Sequence, residues 1–491
     1  MTDIAQLLAR IERLEQENAV LRAENQWLKK KLFGGGQGEK LDQAQLALEL
    51  GELAKVAAPP VPPTAVSYER AAPRTEVRTV PAATFAHLPV QETIIIEPAE
   101  VQAEPAAFER IGEERTFEID VVPPKLFKRE IVRPKYQRTA VPTAAPVVAA
   151  ALARPVPGGY ASAGLVAWIV VSKYQNHLPL YRLEQMSAHW GVTLPRQSMV
   201  EWVRLAAEWL QPIVRLMRKK LLEGGYVQAD ETPVRWHHPQ EKRGKTGQGY
   251  FWGLSRPEDH VVFAWRLTRQ HSEANKLLGE NYEGVLQSDG YQCYASYAAA
   301  HPAVVGVGCW AHARRNFFEA IEESPQRATF ILRLLGQLWG WERQWQTGRI
   351  GAALRSARRH SHFTLPLKLL KRLAERLQKL VLPNSRLGQA CSYLLNQWGP
   401  LTAHLDHGCT ELDNNAMENA IRPTALGKKN WMFIGHPEAG ERSAVIYSII
   451  VSCRRFGKDP FLYLRDVLAR LPTLTTKDDL TPLLPGNWQP A

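Results

Sequence analysis

Cysteine is scarce in this 491-residue chain: there are five, none before Cys293, and no two form a CxxC pair. A disulfide-stapled secreted fold is thereby excluded, and a reduced, cytoplasmic chain is the simplest reading. No run approaches the roughly 18 apolar residues of a membrane-spanning helix. The first residues read as neither a secretory signal nor a transit peptide. Acids are outnumbered, 49 Asp and Glu against 61 Lys and Arg, for a formal charge of +12. That excess favours a polyanionic partner and says nothing about fold. With 45% hydrophobic residues there is material for a core, and the length predicts more than one domain.

What is present is a set of carboxylates at the ends of strand-like runs. Tyr226 and Val227 begin a short strand after Gly224-Gly225, and Asp230 lies near its end with Pro233 closing it. A second run, Gly284-Val285-Leu286-Gln287-Ser288-Asp289-Gly290, ends the same way. Either Asp alone reads as a turn residue; as a pair they suit Mg²⁺, which takes hard oxygen ligands. A third acid, Glu418, falls in the first turns of a helix capped by Asp413 or Asn414, with Pro423 predicting a short or kinked helix. Arg422, Lys428, Lys429 and Asn430 follow it, a cationic segment suited to phosphate.

Residues 1–33 read as a coiled coil. Ile4, Ile11, Asn18, Asn25 and Leu32 fall at one heptad position and Leu7, Leu14, Leu21 and Leu28 at the other, a pattern favouring a parallel dimer. A short helical segment (34–56) precedes a disordered Pro/Ala/Val linker (57–108) and a small β module (109–150). Residues 151–222 read as four helices; the helix–turn–helix spacing near Trp190–Ser198 fits either DNA recognition or plain helical packing. Residues 223–320 give the order strand, strand, strand, helix, strand, helix, strand, an α/β mixed sheet flanked by helices. Residues 321–405 read as a helical insertion, since 129 positions separate Asp289 from Glu418. Ten Lys or Arg against one acid between Arg343 and Lys379, Arg355, Arg358 and Arg359 among them, mark the insertion as a phosphate-contacting face. Residues 406–457 return to the sheet domain, and 458–491 form a C-terminal helix and a loose tail. Cys309-Trp310-Ala311-His312 has a CxxH look but lacks two further ligands for zinc; Cys309 is expected in the core and His312, Arg314 and Arg315 toward DNA.

Several ordered strings together resemble the bacterial transposases of the insertion sequence 66 family. They are Ala229–Pro233, Gln287–Tyr291, Cys309–Arg315, Leu412–Pro423, Gly427–Trp431 and Asp459–Leu468, with Val171–Arg182 upstream. The resemblance implies a ribonuclease-H-like core with an Asp-Asp-Glu triad, here Asp230, Asp289 and Glu418, holding two Mg²⁺, with Mn²⁺ able to substitute. It implies DNA as partner (the element's terminal inverted repeats and the target), assembly at least to a dimer, and small accessory proteins of the element. Family members carry a zinc-binding cysteine module at the position of residues 109–150; without cysteines there, this module either folds without zinc or has decayed. Two rivals remain: a same-fold nuclease that never joins strands, and an inactive dimeric DNA-binding repressor.

Overall fold

In the computed structural model, residues 102, 106, 125–136, 147–237 and 246–490 are described. The coiled coil, the 34–56 helical segment, nearly all of the linker and most of the 109–150 module lie outside them. What is described of that module is an exposed antiparallel ribbon, β1 (Lys135–Tyr136) and β2 (Val147–Val148).

Among the described residues, three helices between 163 and 223 stand directly before the sheet. In α1 (Ala163–Tyr174) the Ser162 hydroxyl accepts from Leu165 N, capping the first turn. After α2 (Leu180–His189) the chain turns at Gly191, whose φ of 81° is one that glycine adopts freely, and enters α3 (Arg196–Glu223). Glu184 accepts from Arg196 N at 2.9 Å, fixing the start of α3 against α2. The third and fourth expected helices are this one helix, running through Pro212. Its buried stripe, Met199, Trp202, Val203, Ala206, Leu210, Ile213, Met217 and Leu221, passes Pro212 unbroken. An interior proline costs roughly 3 kcal/mol, whereas each buried large apolar side chain contributes about 1.5–3 kcal/mol, so the stripe wins.

The sheet contains β3 (Tyr226–His237), β4 (Thr246–Ser255), β5 (Val261–Arg266), β6 (Gly284–Gln287) and β7 (Val304–Val307), in spatial order β5-β4-β3-β6-β7. The first three are antiparallel neighbours; β6 and β7 run parallel to β3. The parallel strands are reached through α4 (His271–Leu278) and α5 (Gln292–Ala300), the order of elements expected from sequence. Pro233 does not close β3. Between Gln228 and the Ile434 bridge at Trp236 the strand pairs with β4 alone, so a residue without an N–H is tolerated at Pro233.

After β7 come α6 (Trp310–Glu319) and the helical insertion: α7 (Pro325–Thr347), α8 (Ala352–Leu380), α9 (Arg386–Asn396) and α10 (Trp398–Thr402). The insertion has its own core of Ile331, Leu335, Trp345, Phe363, Leu367, Leu387 and Leu394. Its entrance and exit are stitched together: Gly308 N donates to Pro400 O at 3.0 Å, and Trp310 Nε1 to Leu401 O at 2.9 Å. His404 Nε2 donates to Gly308 O at 2.8 Å; burial pushes its pKa down to about 3, keeping the ring neutral.

The chain then returns through α11 (Asn415–Trp431), α12 (Pro437–Arg455) and α13 (Pro460–Arg470). The helix α12 lies along β5, where Ser448 and Ser452 hydroxyls accept from Phe263 N and Val261 N. Those contacts seal an edge that would otherwise offer unpaired N–H groups. The tail beyond Leu471 is packed rather than loose. Leu483, Leu484 and Trp488 are buried, and Trp488 Nε1 donates to Asp466 Oδ2 at 2.7 Å. Among the described residues no helix is long and apolar enough to cross a membrane.

Candidate active site

Strand register places the first two acids. Gln228 of β3 and Gln287 of β6 are the last paired residues of two parallel neighbours. Asp230 and Asp289 each come two residues later, so they stand level at the carboxyl edge of the parallel strands. Open α/β sheets present their ligand crevices at that edge. Asp289 is held in a tight turn: its Oδ1 accepts from Tyr291 N at 3.0 Å, and Gly290 follows with φ 90°. From the insertion, the Tyr393 hydroxyl donates to Asp289 O at 2.9 Å.

Glu418 arrives on the first turn of α11. The loop that delivers it is laced to the strands by buried amides. Gln228 Nε2 donates to Asp413 O at 3.0 Å, Gln287 Nε2 donates to Glu411 O at 2.8 Å, and Tyr226 OH and Gln228 Nε2 both donate to Gln287 Oε1. Glu418 thus bears electrostatically on Asp230. The Asp230 carboxyl is pushed up to about 8, first by burial and then by the negative charges of Glu231, Asp289 and Glu418. Crowded acids of one sign, one of them protonated near neutrality, are what a divalent cation relieves. Glu418 Oε1, buried and without a hydrogen-bond partner, is a further free ligand atom.

Basic side chains flank the third acid. His312 Nδ1 lies 3.8 Å from Glu418 Oε1, and an Arg315 guanidinium nitrogen 3.7 Å from Oε2. Arg314, Arg422, Lys429 and Asn430 are exposed. Lys428 is partly buried and donates to Pro233 O at 2.9 Å on the free edge of β3. Lys428 and Lys429 lie in the last turn of α11. Cys309, His312 and Glu418 bring one ligand atom each within 4.8 Å of one another. Cys309 is buried in the core as expected, with its thiol pushed up to about 12 by burial and accepting from Asn414 N.

Two expected phosphate contacts are corrected. Arg355 and Arg359 are buried: both pair with Glu342, and Arg359 also donates to His404 O, His407 O and Thr410 O. Their guanidinium groups are committed to the protein. The signal was present, since the buried positions Leu367 and Phe363 of α8 continue backward in steps of four to Arg359 and Arg355. Arg358 is partly exposed and remains available.

Sequence reading missed Arg269. It donates to Glu231, the buried acid beside Asp230, and its guanidinium lies 3.8 Å over the Tyr291 ring. Tyr294 OH also donates to Glu231, at 2.7 Å. An arginine in the loop after β5 carries no local pattern that marks it.

The profile described as "Transposase IS66 family" matches residues 158–442, and that described as "IS66 C-terminal element" matches residues 448–485. An uncharacterised protein of Sinorhizobium fredii, y4jD, is 33% identical over 99% of this chain and 97% of its own length. A second from the same organism, y4qI, is 32% identical over 81% of this chain and 75% of its own.

Proposed function

We propose, since the chain belongs to the IS66 transposase family, that it cleaves DNA at the ends of its insertion sequence and joins them to target DNA. The strand order, with three antiparallel strands followed by two parallel ones on the other side of β3, supports a ribonuclease-H-like core. The observation that carries the proposal is the register. It sets Asp230 and Asp289 level on parallel strands, with Glu418 close enough to raise the Asp230 pKa.

Asp230, Asp289 and Glu418 would hold two Mg²⁺, or Mn²⁺ in their place; all three offer the hard oxygens these ions take. Bound there, the ions would stabilise the attacking and leaving oxygens of an in-line displacement. The chain's own groups do the rest. Asp230 gives up its proton to become a ligand, and Glu418 orients the nucleophile: water for cleavage, then the freed 3′-hydroxyl for joining. His312 and Arg315 bear on Glu418, and with Arg314, Arg422, Lys428 and Lys429 supply the phosphate-facing basic groups, to which Asn430 adds an amide donor. The heptads of residues 1–33 would make the working form at least a dimer in the cytoplasm, with accessory proteins of the element as further partners.

Asp230→Ala, Asp289→Ala and Glu418→Ala should each abolish cleavage of element ends in Mg²⁺ and leave gel-shift affinity largely intact, because affinity comes mainly from Lys and Arg. Retained cleavage in any of them would remove that acid from the site. A strand-transfer assay on pre-cleaved ends separates a transposase from a hydrolytic nuclease.

A further inference from the structure

Asn414 stands at the N-cap of α11, where asparagine ordinarily turns its side chain back onto its own helix. Here it makes no such bond. The side chain is buried, and its Nδ2 donates instead to Ala229 O at 2.9 Å, on the residue before Asp230. Its backbone N–H is also engaged, donating to Cys309 Sγ at 3.3 Å. One residue therefore ties the start of the Glu418 helix to the strand of Asp230 and to the start of α6, which carries His312 and Arg315.

The next turn repeats the theme. Gly253 of β4 is the register partner of Asp230, and a Cβ there would sit 2.1 Å from Met417 Cε. The fully buried Met417 side chain fills the notch left by the missing Cβ, letting α11 settle against the sheet beside Asp230. Arg455 of α12 donates to Ala416 O at 3.1 Å and to Asp259 O at 3.1 Å, linking this turn to the β4–β5 hairpin.

We propose that Asn414 is a positioning residue. Its amide, with Met417 seated over Gly253, sets the separation of Glu418 from Asp230 and so makes the three acids one site. The inference rests on the reading of Asp230, Asp289 and Glu418 as metal ligands. Groups that orient ligands from behind typically change metal affinity by roughly 10–100-fold when removed.

The test is direct Mn²⁺ binding to the full chain, without DNA, followed by electron paramagnetic resonance. Asn414→Ser keeps a capping hydroxyl but cannot reach Ala229 O. It should weaken Mn²⁺ binding roughly 10–100-fold, with DNA affinity unchanged and a cooperative thermal transition retained. Gly253→Ala removes no hydrogen bond and should weaken Mn²⁺ in the same direction. Met417→Val, shorter at the clashing end, should restore it in that background. Asp230→Ala is the reference. If it binds Mn²⁺ like wild type, the metal-ligand reading fails. If it loses Mn²⁺ while Asn414→Ser and Gly253→Ala bind like wild type, the positioning role fails and the ligand reading stands. Should Asn414→Ser not fold, the Gly253→Ala and Met417→Val pair decides alone.

Discussion

Asp230→Asn should stabilise the metal-free protein, and by an amount that depends on pH. Folding raises this carboxyl from about 3.8 to about 8. The folded chain therefore holds a proton between those values that the unfolded chain has released. The penalty is absent below pH 3.8, grows from there to pH 8, and is constant above. A rise of about four units amounts to roughly 5–6 kcal/mol if none of it is relaxed. Partial solvent access to the carboxyl lowers the observable to on the order of 2–4 kcal/mol between pH 5 and pH 9. Asparagine keeps the shape and does not titrate. Urea unfolding of both proteins in chelator, at pH 5 and pH 9, measures the effect. The variant's advantage should be small at pH 5 and large at pH 9. Saturating Mg²⁺ at pH 9 should then stabilise the wild type and close the gap. Stability curves that stay parallel across this range would refute the electrostatic account of the site.

Arg359→Leu should cost about 3–5 kcal/mol, because it leaves buried Glu342 with Arg355 alone and strips His404 O, His407 O and Thr410 O of their buried donor; Arg358→Gln should stay within about 0.5 kcal/mol, both read by urea unfolding. Arg358, Lys368, Lys371 and Arg372 changed together to Gln should flatten the log–log salt dependence of DNA affinity by roughly two to four units; an unchanged slope would mean that this face is only solvated. Deleting residues 1–33 should lower the mass measured by light scattering while the remaining chain stays folded; an unchanged mass would place the main assembly contact elsewhere.

Much of the site was readable because it follows local rules. Short apolar runs broken by glycine and ended by Asp mark β3 and β6, and a parallel pair with equal spacing from Gln228 and Gln287 brings the acids level. Glu418 could be placed on a helix, but not across the sheet, since its link to Asp230 spans the whole insertion. Arg355 and Arg359 were misplaced because charge count was weighed above helical period. Position on α8, not residue type, decides their burial. Arg269 and the side-chain bond of Asn414 to β3 are tertiary facts with no sequence pattern behind them.

The stitched base of the insertion changes how the last acid is delivered. An unstructured loop of 129 residues would cost roughly 4 kcal/mol to close on length alone. With Gly308 bonded to Pro400 and His404, and Arg359 gripping Thr410, the folded insertion acts as a hinge pin: Glu418 starts from an anchored point a few residues away. Assembly order follows. We expect the two aspartate strands to pair before the third acid docks, which φ-value analysis of the insertion core would check. A lesion deep in the insertion core, far from any carboxylate, would then act as an active-site lesion.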